Sequence, residues 1–337
     1  MTVPALPAVA KHVLANASNA ALSPVSFMSL SPNTSAISID RGPPWIFNAN
    51  LLVRPVHSSY KFARILGREF QRQKYETRRS VMRRIIKGDR RMQFSAIPQH
   101  IVDRVVDRRG ALHIHQNIDP TKTALVVIDL QNCFMVEELA FAYSCGAIKL
   151  VPIVNRVADE VRRAGGKVFW IRNTISEDMR ENWSNWFAMN GYDPERAARR
   201  EVNMIVGSPG HQIHSDLVIA PQDEIVDKHR FSAFIQGSSD IDDRLRAQGI
   251  DTLIFAGIAT NVCCESSARD AMMLNYKVIV VTDATAAATE EEQLASLSII
   301  YSNFGDVMEA DMVVACLRNG AERLSAGNAE VHAAPNG

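Results

Sequence analysis

The sequence predicts an α/β protein: a doubly wound, mostly parallel sheet flanked by helices. Three observations point to it. Continuous apolar runs of strand length recur, the first being "ALVVIDL" at 124–130, and a run without polar alternation is what a strand buried on both faces requires. Between the runs lie segments of helix length whose apolar residues fall three and four apart. Alternation of the two specifies βαβ units, whose crossovers stack helices on both faces of a parallel sheet.

Taken in order, the chain opens on residues 1–91, read as an N-terminal extension, either disordered or lying upstream of a true start at Met92. Its first 50 residues are rich in Ala, Ser, Pro and Asn, and "LSPNTSAISIDRGPPW" breaks any regular element. Residues 58–88 have the makings of one basic helix with Phe62, Ile65, Leu66 and Phe70 along one side. About fifteen Lys or Arg stand against four acids in residues 1–91. A targeting or nucleic-acid-binding arm and a solvated tail are both open there. From "AIPQHIVDRVVDRRGALH" a short amphipathic helix leads through the linker "NIDPTKT" to the first strand.

"AIKLVPIVNRVADEVRRAGG" (147–166) is a helix closed by its glycines, and "KVFWIRNT" (167–174) the next strand. "DEIVDK" (223–228), "TLIFAGI" (252–258) and "KVIVVTDA" (277–284) supply three more strands. Helices over 239–249 and 263–275 separate them, and a last helix covers "EEEQLASLSIIYSNF".

Composition narrows the partners. Lys plus Arg number 37, as do Asp plus Glu, so no whole-protein field recruits nucleic acid or an anionic membrane. No uncharged apolar run reaches 18 residues, so no membrane span is expected. The start lacks the layout of a secretory signal, and five cysteines without CxxC or metal-ligand spacing suit a reducing compartment; a cytoplasmic protein is expected.

In an open parallel sheet, ligands bind beyond the carboxyl ends of the strands. Asp129 ends one strand, Lys228 ends another, and Cys263 follows a third at the start of a helix. A thiol at a helix N-terminus beside a lysine is expected to have a lowered pKa. Asp129 would take its proton and return it to a leaving group, the shuttle that covalent catalysis at a carbonyl needs.

"VVIDLQNCF", "VDKHRFSAF" and "GIATNVCCESSARDA" resemble, in order and spacing, the three signature segments of the isochorismatase-like cysteine hydrolases. The resemblance spans about 92–318, and it sets an isochorismatase-like hydrolase domain at 92–320 with a disordered tail at 321–337. It implies Asp129 as proton shuttle, Lys228 as electrostatic partner and Cys263 as nucleophile. It also implies a cis peptide between Ile258 and Ala259, and an oxyanion hole from the backbone amides of Ala259 and Cys263. Cys264 stands where the family often has Val and is taken as packing, as are Cys133, Cys145 and Cys316.

Family members carrying the cysteine generally cleave C–N bonds of amide, ureido or carbamoyl groups, the branch of ureidoacrylate, N-carbamoylsarcosine and biuret amidohydrolases. Those acting on the vinyl ether of isochorismate often lack it. The family's nicotinamidases hold a metal through histidines after the second strand, but "WIRNTISEDMRENWSNWF" has none. No metal and no cofactor are therefore expected, and His211 and His214 are read as surface or loop residues. Gln131, Phe134, Asn173 and Arg230 are candidates to line the substrate site. The insert at 176–222, with Trp183, Trp186, Phe187 and Tyr192, is expected to fold over it. The expectation is a metal-independent hydrolase of a small amide, with a homodimer or homotetramer implied by the resemblance and no nucleic-acid or membrane partner. The alternatives are a vinyl-ether hydrolase and a non-catalytic binding protein on the same fold.

Overall fold

The computed structural model describes residues 93–191 and 193–333. The extension at 1–91, its basic helix, Met92 and Tyr192 lie outside the described residues.

Strands β1 (Thr123–Ile128), β2 (Lys167–Asn173), β3 (Glu224–Lys228), β4 (Thr252–Ile258), β5 (Lys277–Ala286) and β6 (Asp306–Met308) form one sheet in the order β3-β2-β1-β4-β5-β6. Every neighbouring pair is parallel. The chain winds outward from β1 through β2 to β3, then returns to β1's other side to begin again with β4. The reversal leaves a crevice between the carboxyl ends of β1 and β4, where such sheets take ligands.

All six residues of β1 and all seven of β4 are buried, because helices cover both faces. On one face Leu125, Val127, Trp170, Ile254 and Ala256 meet Val154, Val157 and Val161 of α3 (Val151–Arg163) and Val313 and Leu317 of α10 (Ala310–Ala333). Alternate residues Val126, Ile128, Phe169, Ile171 and Phe255 point the other way. They meet Val102 and Val105 of α1 (Gln99–Arg109), Leu245 of α7 (Ile241–Ala247), Ala268 of α8 (Glu265–Met273) and Leu297 of α9 (Glu290–Ile299). Each large aliphatic or aromatic side chain so buried contributes about 1.5–3 kcal/mol. Short helices α2 (Asn132–Met135), α4 (Met179–Asn182), α5 (Ser184–Asn190) and α6 (Pro194–Asn203) lie in the connections.

Three features depart from the sequence expectation. The segment over 290–304 is not the last helix: α9 stops at Ile299, a π-helical turn covers Ile300–Phe304, and β6 and α10 follow. Strand β6 has only three residues and starts with an acid, so it carries no pattern. Asp306 is nonetheless buried, because it accepts hydrogen bonds from the N–H groups of Ile114 (2.7 Å) and His115 (3.1 Å) and lies 2.9 Å from His113 Nδ1. The tail expected from 321 is helical through Ala333, and the boundary at 320 falls inside α10. Gly320 permits this, since a Cβ there would lie 2.4 Å from the carbonyl of Ile118, over which α10 passes.

Candidate active site

Strand β1 delivers Asp129. The chain turns there into the left-handed region (φ 55°), while its N–H still bonds Ile171 O at 3.0 Å. Beside it the end of β4 presses on the end of β1 through Gly257, at φ 110°, where a Cβ would stand 2.0 Å from Ile128 O. Only glycine fits that approach. The Ile258–Ala259 peptide is cis, as expected. A π-helical turn, Thr260–Cys264, then carries Cys263 into α8. The N–H groups of Val262 and Cys264 both bond Ala259 O at 3.1 Å.

That turn is fastened from behind by residues no sequence motif singled out. Thr260 Oγ1 donates to Gln293 Oε1, and Gln293 Nε2 donates to the carbonyls of Thr282 (3.3 Å) and Thr285 (3.1 Å). Ser296 Oγ donates to Thr260 O at 3.2 Å. The only sequence signal was Gln293 on the apolar side of its helix.

Lys228, at the end of β3, is fully buried with its Nζ 2.9 Å from Asp129 Oδ2. The same ammonium donates to Cys263 Sγ (3.4 Å) and Arg230 O (3.1 Å), which engages two of its three protons. The approach to Asp129 is off the hydrogen-bond direction, so it is a charge contact and leaves the carboxylate oxygens without an aligned donor. Asp129, Lys228 and Cys263 are thus brought together, within the crevice of the sheet.

Burial pushes the Asp129 carboxyl above its ordinary pKa, and Lys228 offsets this only in part. Burial works against the Lys228 ammonium too, but Asp129 and Cys263 outweigh it and hold its pKa up, so the lysine keeps its proton. The Cys263 thiol is pushed up, first by burial and then by the charge of Asp129. This corrects the expected lowering: Lys228 is already balanced by Asp129, and desolvation of a thiolate in so closed a site exceeds what the lysine returns. Cys263 therefore rests as a thiol beside a carboxylate of raised proton affinity.

The other candidates divide. Gln131 is fully buried and wholly engaged, donating to Asn173 O (3.2 Å) and His211 O (3.0 Å) and accepting from Asn173 N–H (2.7 Å). It is a clamp between β1 and β2, with both of its amide protons already committed to backbone carbonyls. Asn173 is buried and pairs in register with Lys228 on the parallel ladder, so both side chains point to one face. Phe134 is half-buried with its ring 5.2 Å from that of Phe141. Arg230 is half-buried, donating to the carbonyls of His229 (2.7 Å) and Asn182 (3.4 Å) and lying 5.2 Å over the Trp183 ring.

His211 corrects the surface assignment. It is fully buried, with Nε2 2.7 Å from Thr174 Oγ1 and 3.5 Å from Asp227 Oδ1. Asp227 also accepts the Arg172 fork at 2.7 and 3.0 Å. The cause is a strap: residues 210–214 run back along the end of β1, with Cys133 N–H on Gly210 O (2.7 Å) and His214 N–H on Leu130 O (3.0 Å). The front of the insert, by contrast, packs against the chain just after β3. Trp183 stacks on Trp186 (4.7 Å) and meets the Phe231 ring edge-on at 5.0 Å, three residues past Lys228. Cys264 and Cys316 are buried in the apolar cores, Cys133 is buried, and Cys145 is half-buried.

Among the described residues no three His, Cys, Asp or Glu side chains are grouped to hold a metal ion, and no helix is long and apolar enough to cross a membrane.

A doubly wound parallel sheet with a thiol, a lysine and a carboxylate buried together at its switch point is the arrangement expected of the isochorismatase-like class. Comparison with known proteins agrees: the Isochorismatase domain model matches residues 123–312, more than half of the chain. The chain belongs to the isochorismatase family. It is 35% identical over 199 residues to the ureidoacrylate amidohydrolase RutB of Caulobacter segnis, covering 56% of this chain and 82% of that one. To the protein of the same name from Agrobacterium fabrum it is 34% identical over 178 residues, covering 50% and 77%. Of solved structures, a cysteine hydrolase from Pseudomonas syringae pv. phaseolicola superposes with a TM-score of 0.52 at 27% identity, covering 60% of this chain and 96% of that one.

Proposed function

We propose that the protein hydrolyses a C–N bond of a small amide, ureido or carbamoyl compound through a thioester on Cys263, without a metal. The observation that carries this is the position of the Cys263 thiol, 3.4 Å from Lys228, itself 2.9 Å from the carboxylate of Asp129. Asp129 takes the thiol proton as Sγ attacks the carbonyl carbon, and the backbone amides of Ala259 and Cys263 receive the developing oxyanion. The intermediate collapses with rupture of the C–N bond, and Asp129 passes its proton to the departing ammonia or amine. Water then attacks the thioester, Asp129 takes its proton, and the sulfur leaves and is reprotonated. Lys228 keeps its charge throughout and stabilises Asp129 whenever it is ionised. The names of the relatives, ureidoacrylate amidohydrolases, support the same bond class. A cytoplasmic homo-oligomer belongs to the same proposal.

The test is ammonia release from a panel of ureido acids, carbamoyl amino acids and simple amides, with Cys263→Ala in parallel. Ammonia from the native protein, lost at least about 1,000-fold in the variant, is expected for covalent catalysis. Full ammonia release in Cys263→Ala would defeat the thioester, while no ammonia from any amide together with hydrolysis of a vinyl ether that survives Cys263→Ala would favour the vinyl-ether alternative.

A further inference from the structure

Resting on the amidohydrolase function above, we propose that Arg230 is a specificity-determining residue that selects substrates bearing a carboxylate. Its guanidinium is held without being neutralised. The acceptors it meets are two neutral carbonyls, of His229 and Asn182, and among the described residues no carboxylate lies within ion-pair distance. A partly desolvated cation with neutral partners is costly, and a bound carboxylate would relieve that cost.

Position and rigidity argue the same way. The carbonyl of Arg230 receives the Lys228 ammonium at 3.1 Å, so the backbone that carries the side chain is tied directly to the Cys263–Lys228–Asp129 group. The Trp183 ring underlies the guanidinium at 5.2 Å, and Trp183 is in turn stacked on Trp186 and edge-packed by Phe231. A planar fork lying on an aromatic face presents its edge to a planar anion, the geometry in which Arg exceeds Lys. The ligand class that fits is a short ureido or carbamoyl acid, its carbonyl at Cys263 and its carboxylate at Arg230.

Two ratios test this, each measured on one preparation so that an unfolded fraction cancels. The first is kcat/KM for 3-ureidopropionate over its methyl ester. The second, independent of turnover, is the rate of Cys263 alkylation by iodoacetate over that by iodoacetamide. Both are expected to fall about 10- to 100-fold in Arg230→Met, with part retained in Arg230→Lys. Ratios unchanged in Arg230→Met would overturn the proposal while leaving hydrolysis intact. Absence of turnover with every ureido compound, together with a collapsed alkylation ratio, would sink the amidohydrolase function and leave the anion site standing.

Discussion

Replacing Lys228 by Met should cost the fold a large part of its stability, and the loss should shrink in acid. The side chain is fully buried against Asp129, which is itself 1% exposed, so the substitution strands a carboxylate with no countercharge. Removing one member of a buried pair costs about 3–5 kcal/mol. At roughly 2–4 °C per kcal/mol for a domain of this size, the melting temperature should drop by about 6–20 °C. The pH dependence has a definite sign. Burial already raises the Asp129 pKa, and loss of Lys228 removes the chief opposing influence, so the folded variant holds this proton more tightly than its unfolded chain. A carboxyl raised in the folded state is destabilising when ionised, and that penalty fades as pH falls through its folded pKa. Calorimetry and urea unfolding at pH 7.5 and 5.5 should show the gap to the native protein narrowing at the lower pH. Lys228→Met combined with Asp129→Asn should be markedly less unstable than the sum of the two changes. A loss below about 1 kcal/mol, or strict additivity, would refute a charged pair in the core.

Two further perturbations bear on the thiol and its support. Because the charge of Asp129 helps to raise the Cys263 pKa and Lys228 lowers it, Asp129→Asn should move the pH profile of Cys263 alkylation toward lower pH while abolishing turnover. A profile that stays put or moves upward would count against the assigned coupling. Gln293→Leu unfastens the turn behind Cys263, removing the acceptor of Thr260 Oγ1 and one donor from each of the carbonyls of Thr282 and Thr285. It should lose about 1–3 kcal/mol of stability and more in kcat than in KM, read from urea titration and steady-state kinetics.

Much of the architecture was legible in the residues. The apolar run at 252–258 coincides with β4, since a strand buried on both faces leaves an unbroken apolar word in the sequence. Strand β6 left none: it is three residues long, and its acid is buried only because His113, Ile114 and His115 come to meet it. His211 likewise gave no sign of its depth, since the partners that bury it, Thr174 and Asp227, are remote in the chain.

Asp129, Lys228 and Cys263 could be placed at one edge from order and spacing, because a parallel sheet sends the end of every strand to the same side. Their protonation could not. The thiol's raised pKa, the use of Gln131 as a clamp and the seating of Arg230 on Asn182 all depend on desolvation and on partners tens of residues away. Local pattern records which face a residue turns to the core. What else that core brings within 3 Å of it is settled by packing alone.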